Sequence, residues 1–542
     1  MSSRVLVVGF DSCDPDIVRA LASEGALPHL ADVLARGATA PLRNSFALFV
    51  GSVWRSFATA RSGHRIGRHC WDEIDPDTYE RRLVDISRER GRPFWLDLSD
   101  AGRRVAILDV PHARPQPLNG IIVTEWGSHD HHEGLSSWPP DAAAEISSAH
   151  GLHPVLGFDS YAIREFAPDD YVLRAGALRT TSEELAMVSG LIEGIAMKQA
   201  WVTDLLRSDA WDLFIAVLGE GHAVGHQQWH LHDDSHPRYD AAVVEAVGGD
   251  PLLRVYRALD DALGVMLAEA DEDTTVVVIL SHGMGPHYDG CHFLDETLRR
   301  IDIADSGGPL GGFAGRFSKR ALLRLPVTQR RRLFSAIAPV VRRVVARRLS
   351  PPCAEFVDPN ERATQRYFLQ PNNSVYGGVR LNVAGRERSG VVLPGDVDAV
   401  CEQLAEDLLS LVNVATGEPV VEAVHRADAF YEREATDTLP DLFVDWNRRA
   451  QIETVWSPKT GVVHAPYTHW RTGDHRPDGL LIVLDPAIEA DAHRPPVRIE
   501  DLGPSLAARF GVTLSDADGQ PVEWMTPRVP APDVDGQPAG VD

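Results

Sequence analysis

The stretch "DLFIAVLGEGHAVGH", residues 212–226, decides how the rest of the chain is read. Its first half holds a short unbroken apolar run, LFIAVL, the pattern of a strand buried on both faces. Its second half sets His222 and His226 four residues apart. On a helix that spacing brings both to one face, about 6 Å apart at Cβ. Two imidazoles so placed suit a shared metal ion. Surface histidine pairs at the same spacing are common, so other segments have to decide between a solvated face and a ligand pair.

Runs of the same kind recur along the chain: "RVLVVGF", "RVAILDV", "GIIVTEW", "TTVVVILS" and, late, "GLLIVLD". Helical patterns such as "DIVRALASEGALPHLADVLARG" and "PLLRVYRALDDALGVMLAEA" lie between many of them. This alternation predicts an α/β fold with a mostly parallel central sheet covered on both faces. Ligands of such sheets gather at the carboxyl ends of the strands. Metal-ligand residue types stand at four such places: Asp11 in "VVGFDSCD", the pair His222 and His226, His282 in "SHGMGPHYDGCH", and His475 in "TGDHRPDGLLIV". Each alone has an ordinary reading, as a helix cap or a hydrogen-bonded loop residue. Four in one ordered series point to a site.

The chain has 542 residues, 44% hydrophobic and 24% charged, the composition of a soluble globular protein. A formal net charge of -25 argues against a nucleic-acid polymer as partner, since phosphate contacts need clustered Lys and Arg. A small anionic substrate stays compatible, because a bound cation reverses the local field. No apolar run reaches the length of a membrane helix. The opening "MSSRVLVVGFDSCD" enters a strand without a signal-peptide pattern. Five cysteines without framework spacing fit a reducing compartment, so a cytoplasmic protein is expected. Residues 1–302 read as the first part of the core, and 303–365, with "QRRRLFSAIAPVVRRVVARRLSPP", as a basic helical insertion. Residues 366–447 read as a smaller α+β unit, 448–525 as the last part of the core, and 526–542 as a disordered tail.

These elements, with "VWRSFATARSGHRIGRH", "LSHGMGPH", "YGGVRLNVAGRERSG", "TGDHRPDGLLIV" and "IEDLGPSLAARFGV", resemble the alkaline phosphatase superfamily. The branch is that of type I phosphodiesterases and nucleotide pyrophosphatases, and the resemblance runs from about residue 4 to about residue 515. It implies an α/β/α sandwich and two divalent ions, commonly zinc. One ligand set falls on His222, His226 and His475. The other falls on Asp11, the segment near 50–52, Ser281 and His282. Three positions depart from the family pattern: His222 and Ser281 each stand where it has Asp, and Val50 stands where it has the Thr or Ser nucleophile. Ser52 is the nearest hydroxyl, and Ser45 a weaker candidate.

Three imidazoles leave zinc its full charge and one open position, which brings a bound water to a pKa near 7. Either such a water attacks, with Asp11, Glu220, His287 or His292 as base or orienting group, or Ser52 attacks, activated by a second ion on Asp11 and His282. The expected activity is metal-dependent hydrolysis of a phosphoester or phosphodiester, nucleotide-like substrates included. The alternatives are a three-His mononuclear enzyme acting on a sulfate ester, phosphoramidate or acyl group, and a binding protein without catalysis. Cys13, Cys70 and Cys291 flank motif positions and read as buried thiols. The stretch "GSHDHHEG" (127–134) reads as a polar loop or a pocket mouth, and His230, His232 and His236 as a solvated loop after the ligand pair.

Overall fold

The computed structural model describes residues 4–85, 88–128, 134–156, 179–306, 358–373, 375–432, 438–465, 471–490 and 493–526. Among them, nine strands form one sheet. From edge to edge they are Val497–Arg498, Ala38–Arg43, Asp478–Leu484, Thr275–Leu280, Val5–Phe10, Leu213–Leu218, Val105–Leu108, Gly120–Thr124 and Ser136–Trp138. The run from Thr275–Leu280 to Gly120–Thr124 is parallel throughout. Asp478–Leu484 lies antiparallel to both of its neighbours. The fold is therefore α/β, with a mostly parallel central sheet, as the alternation of strand and helix predicts.

The unbroken apolar strands are explained by what covers them. Leu6, Val8 and Phe10 enter one core, while Val5 and Val7 enter the other. Phe214, Ala216 and Leu218 alternate with Leu213, Ile215 and Val217 in the same way. Each large apolar side chain buried so contributes about 1.5–3 kcal/mol. No position on these strands is left for a polar residue until they end.

Register then delivers the polar residues together. Phe10 pairs with both Leu218 and Leu280, so Asp11, Gly219 and Ser281 leave the sheet level with one another. Helix Glu220–His232 starts at that edge. A separate ribbon, Gly283–Pro286 against Gly473–Arg476, sets Met284 opposite His475.

A smaller antiparallel sheet, Tyr367–Gln370, Tyr376–Leu381, Leu442–Trp446 and Val421–Arg426, carries helix Val397–Leu409. Its core also takes Phe293, Leu298 and Ile301 from helix Cys291–Asp305, and Ile452, Val455 and Val463 from beyond residue 447. This cluster thus reaches further on both sides than residues 366–447. Residues 307–357 of the basic stretch, 129–133 of "GSHDHHEG" and 527–542 of the tail lie outside the described residues. No described helix is long and apolar enough to cross a membrane.

Candidate metal centre

Helix Glu220–His232 places the rings of His222 and His226 with centroids 4.7 Å apart. The ribbon brings His475 to within 4.7 Å of the first ring and 4.5 Å of the second, centroid to centroid. This approach depends on Gly473, where a Cβ would overlap the Gly225 carbonyl. The three histidines are buried, and one ring nitrogen from each lies within 4.8 Å of the others.

The tautomers follow from the partners. His226 Nδ1 is 2.8 Å from the Gly473 carbonyl oxygen. A carbonyl only accepts, so Nδ1 carries the proton and Nε2 presents a lone pair. That nitrogen faces His475 Nε2 at 3.1 Å. His222 Nδ1 is 2.7 Å from Asp11 Oδ2. Burial would raise the Asp11 carboxyl, but His222, with help from the Trp54 indole, takes it well below the usual carboxylate range. Asp11 is therefore an acceptor, and His222 donates its Nδ1–H to it. Ligand nitrogens about 3.3 Å apart span the edge of a tetrahedral zinc site, and imidazoles that give their other N–H to a carbonyl or carboxylate have the outer partners typical of metal ligands. The donor set fits a divalent ion.

Asp11, His222 and His282 form a second set that shares His222. Both sets therefore call on the same imidazole. Asp11 Oδ1 accepts from the Trp54 indole at 2.8 Å and from the Ser281 hydroxyl at 3.1 Å. Trp54 reaches it by lying across Gly9, where a Cβ would strike the indole. Ser281 also touches His282 Nδ1 at 2.9 Å, and His282 Nε2 is 2.9 Å from His475 Nδ1. Burial, despite Asp11, pushes the His282 imidazole down to about 4, so it stays neutral. Ser12, in a left-handed backbone conformation at φ 59°, adds its hydroxyl 3.2 Å from His475 Nδ1.

Several expected positions stand elsewhere. The Ser52 hydroxyl donates to the Leu48 carbonyl at 2.8 Å, and Ser45 accepts from the Gly63 N–H. The ring set against His282 and His475 is that of Phe49, with centroids at 5.7 and 6.4 Å. Glu220 turns to Lys198 Nζ and His153 Nε2, each 3.4 Å away. Cys13 and Cys70 are buried free thiols, and Cys70 donates to the Asn373 side chain. His287 belongs to a different group, with Asp289 and Asp474, and half-buried His292 lies near it. The solvated-loop reading fails for two of its three histidines. His230 and His236 are both 3% exposed; helical backbone resumes after a kink at Gln228 and runs through His232, and His230 Nδ1 meets the Thr472 hydroxyl at 3.1 Å. Sequence reasoning missed Ser12, Trp54, Phe49 and Arg471, whose Nη1 lies 3.4 Å from His226 Nε2. The small pair Thr472 and Gly473 before His475 was the available signal for a close approach.

Fold and site together define an α/β protein with a histidine-rich centre at its strand ends. The model of the family type I phosphodiesterase / nucleotide pyrophosphatase matches residues 5–478. The chain belongs to that family, one of hydrolases of phosphoester type. No curated protein matches it. Similar solved structures include murine ectonucleotide pyrophosphatase / phosphodiesterase 5, at 13% identity, covering 96% of this chain and 98% of that one with a TM-score of 0.46. The human counterpart has 12% identity, 96% and 97% coverage and a TM-score of 0.47. Phosphonoacetate hydrolase from Sinorhizobium meliloti 1021, in complex with phosphonoacetate, has 14% identity, 93% and 94% coverage and a TM-score of 0.46.

Proposed function

We propose that this chain is a metal-dependent hydrolase of phosphoester and phosphodiester bonds in small anionic substrates, nucleotide-like ones included, with one zinc ion held by His222, His226 and His475. The observation that carries this reading is the convergence of three buried imidazoles, with His226 Nε2 3.1 Å from His475 Nε2 and the His226 Nδ1 proton donated to the Gly473 carbonyl. A zinc ion in a neutral three-imidazole set supplies an electrophile and lowers the pKa of water. The chain's own residues do the rest. Asp11 fixes the orientation of His222, and neutral His282 adds no competing charge. The Arg471 guanidinium at the edge of the centre draws in anionic oxygens. Water is the nucleophile, because Val50 has no hydroxyl and that of Ser52 is engaged by the Leu48 carbonyl.

The test is metal analysis of the purified protein and of His226→Ala, beside a panel of aryl phosphate monoesters, aryl phosphate diesters and an aryl sulfate. The variant is expected to lose about one equivalent of metal and its turnover together. Retention of both removes the assignment. Preference for the aryl sulfate moves the activity to sulfate esters.

A further inference from the structure

Successive side chains of a strand leave on opposite faces. His475 faces the histidine centre, so its neighbour Asp474 faces away from it. There Asp474 meets His287 and Asp289, in the turn that follows strand Gly283–Pro286. All three are buried: Asp289 is 1% exposed, His287 3% and Asp474 9%.

Each of the three is anchored to backbone by one heteroatom. Asp289 Oδ1 accepts from the Cys291 N–H at 2.6 Å, and Asp474 Oδ1 accepts from the His475 N–H at 2.9 Å. His287 Nδ1 is 3.1 Å from the Arg471 carbonyl and so donates to it. The remaining heteroatoms converge: Asp289 Oδ2 and Asp474 Oδ2 lie 2.6 and 3.6 Å from His287 Nε2. Two carboxylates thus face one imidazole in this buried group. Backbone anchors on the outer atom of each ligand are also what orients the ligands of metal sites.

We propose that His287, Asp289 and Asp474 form a second divalent-cation site, back to back with the histidine centre on the same ribbon. One imidazole nitrogen and two carboxylate oxygens suit zinc or manganese. The ion pins the turn after Gly283–Pro286 to the strand that carries His475, and so acts on structure. This inference is independent of the proposed activity.

The experiment uses the full chain, stripped with a chelator, re-equilibrated with Zn²⁺ or Mn²⁺ and assayed by elemental mass spectrometry. Wild type is compared with His226→Ala, Asp289→Asn and His287→Gln. Wild type should hold one equivalent more than Asp289→Asn or His287→Gln, and His226→Ala should keep the equivalent that those two lose. The metal-dependent rise in melting temperature should divide into two steps, one removed by each kind of variant. If Asp289→Asn does not fold, His226→Ala, which leaves the cluster intact, decides by holding one equivalent or none. Wild type with one equivalent and His226→Ala with none overturns the second site while leaving the first. Wild type with one that only the Asp289 and His287 variants lose keeps the second site and removes the first. Unchanged metal in both Asp289→Asn and His287→Gln makes the group an ion pair of imidazolium with two aspartates, and the proposal fails.

Discussion

Two buried polar centres adjoin the end of strand Leu213–Leu218, and they satisfy their charges differently. In one, Lys198 supplies the cation from within: its Nζ lies 2.7 Å from Asp109, 3.4 Å from Glu220 and 3.2 Å from the Val217 carbonyl. Burial outweighs the pull of Glu220 on His153 there and keeps that imidazole's pKa below its ordinary value. Burial would also lower Lys198, but Asp109 and Glu220 overcome it and hold the ammonium charged. In the other centre, the Gly473 carbonyl and Asp11 each accept a ring N–H, from His226 and His222, and the rings of His222, His226 and His475 converge. A buried group that contains its own cation is a structural bolt. One whose imidazoles converge without a cation of its own among them is suited to a cation from outside.

The strongest way to break this contrast is Lys198→Met. Asp109 and Glu220 then stay buried without their cation, at a cost of about 3–5 kcal/mol, measured by denaturant unfolding. Metal content per folded molecule should not change. A stability loss below about 1 kcal/mol would deny Lys198 its role. Next comes Asp11→Asn, which keeps the shape but weakens the acceptor that fixes His222. Metal affinity, read by chelator competition, should fall about 10–100-fold; unchanged affinity and turnover would reduce Asp11 to a packing residue.

Ser52→Ala sharpens the picture from the other side. With water as nucleophile, turnover should stay within about tenfold, or about 1.4 kcal/mol in barrier. A phosphorylated Ser52 trapped by mass spectrometry would reverse that assignment. The smallest effect is expected from His230. Burial, then the charges of His236, Arg179 and Arg238, push its imidazole down to about 3. Its folded pKa is thus below the unfolded value near 6.5. As pH falls, the unfolded chain takes up the proton first, so the stability this neutral ring contributes is full above about pH 6.5 and is lost toward pH 3. Between pH 8 and 6 this is less than about 1 kcal/mol. His230→Gln should flatten that part of the melting profile, and an identical slope in the variant would exclude the linkage.

Asp11, His222, His226, His282 and His475 could be read as one group because each stands beside an unbroken apolar strand: parallel register carries the first four to one edge, and the antiparallel strand Asp478–Leu484 starts at that edge, just after His475. Lys198 was not. It lies within helix Thr181–Ser208, where a single lysine resembles any solvated one, and its partners come from three other segments. Glu220 looked catalytic for the same reason, since its proximity to His222 in sequence says nothing about the direction of its side chain. His230 and His236 looked solvated because the Thr472 that covers His230 arrives from 242 residues away. Ser52 looked available because a hydroxyl at a helix start gives no sign that the carbonyl four residues back will claim it.

The contact between His226 and His475 joins residues separated by 249 positions. During synthesis at about 5–20 residues per second, about 12–50 s pass between the emergence of the first histidine and the last. Through that interval the nascent chain offers only the helical pair, a weak chelate open to exchange. At the proposed centre, metal retention would therefore be a property of the nearly finished polypeptide, and a chain truncated before Gly473 would lack its third imidazole.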